Sequence, residues 1–321
     1  MGITIVVGGQ YGGEGKGKVS HFLAKNNNIN ITVRVGGSNS GHTVINEKNE
    51  TLILRQLPTP SILPNSISVL SAGSYIDIDV LMKEITLTGI SNEQLRIDKN
   101  AMIITKEDKE NESCSTLRKD IGSTLSGTGA CVKRRINRDN TTKLAKDFEI
   151  LKPYISDTKE YLHQELQNGK NILIEGTQGF GLSLLHSKNY PFTTSRDTTA
   201  AGFLSEVGLS PLAVKEIVLV IRAFPIRVEG NSGKLENEIS WSTLQRVPEL
   251  SSVTKKERRI AEFDSRIVRE AIISNNPTKI VLNHLDYIND KDQEDFVINI
   301  EEKIKAKIHL VGLSNASLEN R

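Results

Sequence analysis

An α/β fold, with a central, largely parallel twisted sheet flanked by helices, is predicted by three features of this 321-residue sequence. Short β-branched runs recur along it. They are apolar on consecutive residues rather than alternating, as in strands covered on both faces. Helical periodicities fall between those runs, and strand–helix alternation marks a layered sheet that takes ligands at the carboxyl ends of its strands. A glycine-rich stretch stands at the first strand-to-helix junction, where such folds hold phosphate.

In chain order, strands are predicted at Ile3–Val7, Ile31–Val35, Ile67–Leu70, Asn171–Ile174, Glu216–Ile221, Lys279–Leu282 and Lys307–Val311. Helical spacing covers Val19–Lys25, Asp77–Leu87, Thr142–Leu151, Ile155–Gln167, Asp264–Ile273 and Lys291–Lys305. Val44–Ile45 and Leu52–Leu54, separated by a polar run at Asn46–Glu50, read as a hairpin decorating the sheet. Asp108–Arg138 is rich in Gly, Ser and Thr with basic residues and little periodicity, which predicts a long functional loop. No composition shift marks a boundary, so residues 1–321 are expected to form one domain.

Composition narrows the function. Lys+Arg number 41 against 39 Asp+Glu, a balance of 41 − 39 = +2, with 37% hydrophobic and 25% charged residues. That excludes a disordered chain and leaves no charge excess for coating a polyanion, so nucleic acid is not the expected partner. Cys114 and Cys131 form no disulfide framework and no zinc-ligand spacing, which fits a reducing compartment. Met1-Gly2-Ile3-Thr4 leads straight into a strand, and no run of ~18 uncharged apolar residues exists. A cytoplasmic protein with no membrane partner is the expectation.

Immediately after the first strand comes Gly8-Gly9-Gln10-Tyr11-Gly12-Gly13-Glu14-Gly15-Lys16-Gly17-Lys18. Glycines let backbone N–H groups turn inward around phosphate oxygens, the two lysines add charge, and the following helix N-terminus is itself an anion site. Gly12–Val19 approaches the pattern G-x-x-x-x-G-K-[ST], but Val19 stands where the magnesium-holding hydroxyl belongs. The architecture is P-loop-like without being a standard P-loop.

The loop resembles the G-Q-W-G-D-E-G-K-G-K signature of adenylosuccinate synthetases, with Tyr11 in the tryptophan position and Gly13 in the aspartate position. Gly36-Gly37-Ser38-Asn39-Ser40-Gly41-His42-Thr43 resembles the family's G-G-x-N-A-G-H-T. Glu175–Gly179 and Tyr190–Ser195 resemble E-G-A-Q-G and Y-P-Y-V-T-S, and Val253–Arg259 resembles the aspartate-recognition loop T-G-R-x-R-R. Asn283-His284-Leu285-Asp286 stands where the family has T-K-L-D, with His284 in place of the lysine.

This resemblance implies a ligase that uses a nucleoside triphosphate to phosphorylate O6 of a purine monophosphate and then lets the amino group of L-aspartate displace phosphate at C6. By the same resemblance His42, Lys18 and Gln178 carry the chemistry, His42 donating a proton or hydrogen bond where charge develops. Gly13, Asn39, Ser123, Thr124, Arg135, Gln178 and Thr194 bind the substrate nucleotide. The donor nucleotide falls to Gly12, Gly15, Lys16, Gly17, Lys18, Gly41, His42, Thr43, Asn283 and Asp286. Val253, Thr254, Arg258 and Arg259 bind aspartate, the two arginines through forked hydrogen bonds, and Mg²⁺ sits at Gly13 and Gly41. A homodimer is implied, with Arg134 or Arg135 completing the neighbour's monophosphate site.

Gly13 sets the substrate. In ordinary members the loop aspartate takes the N1 proton of inosinate, beside C2, where guanylate carries an amino group. Its absence resembles the phage 2-aminoadenylosuccinate synthase branch, which takes dGMP and lacks this aspartate. The implied reading is dGMP plus aspartate with ATP, dATP or GTP, the missing side chain leaving room at the C2 edge. Two readings stay open beside it: an ordinary synthetase using IMP, and a nucleotide switch without ligase chemistry. Glu14, adjacent to Gly13, is expected to support the loop.

Overall fold

The computed structural model describes residues 2–140, 142–314 and 317–321; Met1, the start of the first motif, lies outside the described residues. Among the described residues ten strands form one sheet. From one edge they run Glu319–Asn320, Leu310–Val311, Lys279–Asn283, Val214–Arg222, β1 (Gly2–Gly8), Asn171–Glu175, β2 (Ile31–Arg34), Ile67–Leu70, Leu95–Asp98 and Ile155–Ser156. Every neighbouring pair is parallel except the edge pair formed with Glu319–Asn320. β1 lies near the middle with all seven residues buried, which is why its apolar residues are consecutive. Ile3, Ile5 and Val7 pack into one core layer, and Val6 into the other with Val218 and Val220. Each such side chain contributes about 1.5–3 kcal/mol by burial, so a charge at Val6 would unseat the strand that launches the phosphate loop.

Helix α1 (Lys16–Asn26) follows that loop and covers the sheet with Val19, Leu23 and Ala24. It enters through Gly15 at φ +87°, a left-handed conformation that favours glycine. No side chain caps its start and no acid occupies its first turn, so its leading N–H groups remain available to an anion.

Seven predicted strands appear, the last shortened to Leu310–Val311, and so does the hairpin, as His42–Ile45 with Thr51–Leu54. Two expectations are corrected. Thr142–Leu151 is not an α-helix but two 3₁₀ segments, Ala145–Asp147 and Glu149–Tyr154, with Pro153 inside the second; the following helix begins only at Thr158, capped by Asp157. Asp108–Arg138 is largely helical: Lys106–Ser113, Leu117–Ile121 and Thr128–Asn137. The first of these helices is almost wholly polar and is held by a capping box between Thr105 and Asp108, so it shows no apolar stripe in sequence. Among the described residues no helix is long and apolar enough to cross a membrane.

Candidate active site

A cleft of about 1240 Å³ opens at the carboxyl ends of the central strands. The glycine loop, the Asn39–Thr43 segment, the Ser123–Thr124 turn, Gln178, Thr194 and the Val253–Arg258 region all reach it. Six stretches far apart in sequence therefore converge where a parallel sheet places ligands.

The loop is braced from within. Glu14 is fully buried, and its Oε1 accepts the backbone N–H of Gly12 at 2.8 Å and of Gln10 at 3.2 Å. Its Oε2 accepts from Lys16 Nζ at 2.7 Å. Asn283 Nδ2 donates to the Glu14 carbonyl at 2.7 Å, so Asn283 supports the loop instead of lining the cleft. With all these partners, Glu14 is a structural brace, as its position suggested. Lys16 pairs with Glu14 and also lines the cleft. Lys18 Nζ reaches the carbonyls of Ser314 (2.8 Å) and Ser317 (3.3 Å), and burial pulls it down to about 8. Asp286 opposes that shift but does not itself line the cleft.

His42 faces the loop across the cleft and is clamped from behind. Its Nδ1 lies 2.7 Å from Glu175 Oε1, and Arg34 Nη1 touches both groups. Glu175 Oε2 in turn accepts from the Thr59 backbone N–H (3.0 Å) and hydroxyl (2.6 Å). Burial opposes ionisation of Glu175, but His42, Arg34 and Thr59 hold it down at about 2. A carboxylate can only accept, so His42 donates through Nδ1 and turns Nε2 away from Glu175. Burial, reinforced by Arg34, brings the ring to about 3, so in this state it is neutral. It therefore presents a lone pair, and it becomes a proton donor only after a negative group arrives. Sequence reasoning named His42 but missed Arg34; the motif containing Glu175 was the available signal.

Around Gly13 the structure corrects the expectation of open room. The loop glycine sits at φ +70°, and a Cβ built there would lie 2.5 Å from Arg258 Nη1 and 2.5 Å from Ile226 Cδ1. The gap is filled by residues from the small antiparallel sheet Ile226–Arg227, Arg259–Ala261 and Glu238–Ile239 and the turn before it. Behind it, fully buried Arg222 donates to the Gly13 carbonyl at 3.0 Å, pairs with Glu249 and lies over the Tyr287 ring. Tyr287 OH donates to Glu249 Oε1 at 2.7 Å. Glu249 is thus held well below the ordinary carboxylate range, burial being outweighed by Arg222 and Tyr287. No sequence motif pointed to Arg222 or Glu249.

Several expected ligand-binding groups turn elsewhere. Arg258 and Arg259 are consecutive on an extended segment, so their side chains leave on opposite sides. Arg258 enters the cleft, whereas Arg259 forks onto Glu238 (2.9 and 2.6 Å) and the Gly233 carbonyl. Thr254 bonds Glu229 at 3.3 Å and is not on the cleft wall, but Val253 is. On the helix Thr128–Asn137, Lys133 reaches the cleft. Arg135 instead donates to the carbonyls of Ala72 and Asn100, and Arg134 pairs with Asp108 at 2.7 Å. Within the single chain both arginines have these intramolecular partners. Gly12, Gly15, Gly17, Asn39, Gly41, Thr43, Ser123, Thr124, Gln178 and Thr194 lie on the wall as expected.

A magnesium site at Gly13 does not fit these residues. Its carbonyl already receives the Arg222 cation, and no carboxylate side chain can extend from position 13. Among the described residues no three His, Cys, Asp or Glu side chains cluster as a metal site, and Gly41 has no such partners.

The sequence profile described as "Adenylosuccinate synthetase" matches residues 5–146 and 139–305. The adenylosuccinate synthetase of Methanococcus aeolicus is 36% identical over 329 aligned residues, covering 97% of this chain and 96% of the relative. That of Methanocaldococcus jannaschii is 37% identical over 287, covering 88% and 82%. Among solved structures, the succinoaminodeoxyadenylate synthetase (PurZ) of cyanophage S-2L, bound to dGMP and to dATP as an energy donor, superposes with a TM-score of 0.88 at 26% identity, covering 99% and 95%. Fully ligated adenylosuccinate synthetase from Plasmodium falciparum shares the fold, with a TM-score of 0.90 at 20% identity over the full length of both. Membership removes the reading as a nucleotide switch: the chain belongs to the adenylosuccinate synthetase family of carbon–nitrogen ligases.

Proposed function

We propose that this ligase joins L-aspartate to C6 of dGMP, consuming a nucleoside triphosphate and giving N6-succino-2-amino-2′-deoxyadenylate, the triphosphate's diphosphate product and phosphate. The observation that carries the reading is Gly13, in a loop whose other family positions are retained apart from Tyr11. Hypoxanthine and guanine share N1–H and O6 and differ only at C2. A loop carboxylate at N1 crowds that edge, whereas here the neighbours are the far ends of the Arg258 and Ile226 side chains, flexible groups able to yield to an exocyclic amine. The likeness to the cyanophage protein bound to dGMP supports the same substrate.

The chemistry then needs positioned charge more than covalent help. The loop amides and the α1 N-terminus receive the donor phosphates, and Lys18 exchanges its carbonyl partners for them. Their negative charge lets His42 take up a proton and donate a hydrogen bond to the transferring γ-phosphoryl oxygens, where charge develops as O6 bonds to Pγ, with Glu175 holding the imidazolium. Arg258, the one of the two arginines on the cleft wall, receives a carboxylate of aspartate at the Gly13 side of the purine. For the donor we favour an adenine nucleotide: guanine requires a carboxylate at its N1 and N2 edge, yet the Asp286 side chain is off the cleft wall and neutral His284 occupies that wall.

One observation favours a second reading, IMP as substrate: the archaeal relatives at 36–37% identity are adenylosuccinate synthetases. Phosphate release dependent on both aspartate and a purine monophosphate, compared for dGMP, GMP and IMP, decides between them. Preference for dGMP supports the proposal, and preference for IMP refutes it.

A further inference from the structure

The loop lacks its base, and Glu14 cannot replace it, because its two oxygens hold Gly12, Gln10 and Lys16. What stands in the vacated place is a cation. Arg258 Nη1 is 2.5 Å from where a residue-13 Cβ would be, on the cleft wall, with Ile226 filling the rest of the gap. The charged and titratable groups around Arg258 are already committed: Glu249 to Arg222 and Tyr287, and Glu14 to Lys16, while His284 is neutral. Arg258 Nε is sealed from solvent without a hydrogen-bond partner among the described residues. A guanidinium screened this way, facing no carboxylate of its own, is complementary to an anion brought by the substrate.

We propose that Arg258 is a catalytic residue for the purine half-reaction, replacing proton removal by a base with stabilisation of the N1-deprotonated, O6-negative form of the 6-oxopurine. The N1 proton leaves to water as the nucleotide binds, and its electron pair delocalises onto O6 beside the guanidinium. O6 then attacks Pγ, the bond from Pγ to the bridging oxygen breaks with its electrons going to the departing diphosphate, and a 6-phosphoryl purine whose ring is neutral and whose phosphoryl oxygens keep the negative charge remains for aspartate. An opposite charge within about 4–6 Å lowers such a pKa by roughly 1–3 units, enough to bring a lactam N1–H near the physiological range. This inference deepens the proposed function but needs only a 6-oxopurine, so its failure and that of the dGMP reading are separable.

The test is calorimetric titration of the whole protein with dGMP, and separately with IMP, in buffers of different ionisation enthalpy and without aspartate or triphosphate. Net proton release on binding of either purine is expected, and it should disappear in Arg258→Gln and persist in Arg258→Lys. Release with IMP alone leaves Arg258 in place and removes the dGMP assignment. Binding of both purines by the unaltered protein with no proton exchange overturns the proposal whatever the variants do. So does an Arg258→Gln protein that keeps the release and loses only its hold on aspartate.

Discussion

Replacing Glu14 by Gln separates a loop brace from a catalytic base. The carboxylate is fully buried and accepts two backbone N–H groups on Oε1 and Lys16 Nζ on Oε2 at 2.7 Å. A glutamine oxygen can still accept the two amides, but its NH₂ then faces the Lys16 ammonium, whose side chain is only 2% exposed. Breaking one side of a buried pair leaves an uncompensated charge, which costs about 3–5 kcal/mol. Against a total stability of about 5–15 kcal/mol, that is a large loss. Urea unfolding followed by circular dichroism should show it as a lowered midpoint with unchanged slope. Adding Lys16→Met to Glu14→Gln should restore about 2–4 kcal/mol, since the orphaned charge is gone. A Glu14→Gln protein that loses less than ~1 kcal/mol while its turnover falls by orders of magnitude would identify Glu14 as the base and refute this reasoning.

Other expectations follow from the same geometry. Gly13→Asp should lower dGMP turnover by roughly 10²-fold, because the new carboxylate pairs with Arg258 and crowds the C2 edge; steady-state kinetics with dGMP undiminished would contradict it. Arg259→Ala should cost about 1 kcal/mol or less, its pair with Glu238 being partly exposed, and should leave the KM for aspartate unchanged; Arg258→Ala should raise that KM. In the unliganded protein, nitrogen-resolved NMR should find His42 neutral with a proton on Nδ1 throughout pH 5–8. Its folded value, about 3, lies below the ordinary 6.5, so its contribution to stability is complete above pH 6.5 and falls away as pH drops toward 3. A His42 titration near pH 6.5 without nucleotide would show that the Arg34–Glu175 clamp is misassigned.

The sheet and the phosphate loop were legible because doubly covered strands and tight turns impose local composition: Ile3–Val7 and the Gly8–Lys18 run can do little else. The helices within Asp108–Arg138 were hidden because they are held by caps and neighbours rather than by an apolar stripe. Motif matching located Arg258 and Arg259 together, but backbone alternation gives only one of them to the cleft, and composition cannot say which. The correction at Gly13 is of another kind. A missing side chain reads as a gap in sequence, yet close packing fills gaps from whichever segment lies near, here Arg258 and Ile226. Arg222 and Glu249 were invisible for the same reason, as a buried pair assembled from distant strands and loops.

The central claim, that the Gly13 edge of this cleft is made for guanine, is tested most directly by competition. Equimolar dGMP and IMP are supplied together with aspartate in limiting amount and a mixture of ATP and GTP, and the succinylated nucleotides are counted by mass spectrometry. The 2-amino-2′-deoxy product should exceed adenylosuccinate at least tenfold, about 1.4 kcal/mol of discrimination at the transition state. A mixture dominated by adenylosuccinate would contradict it.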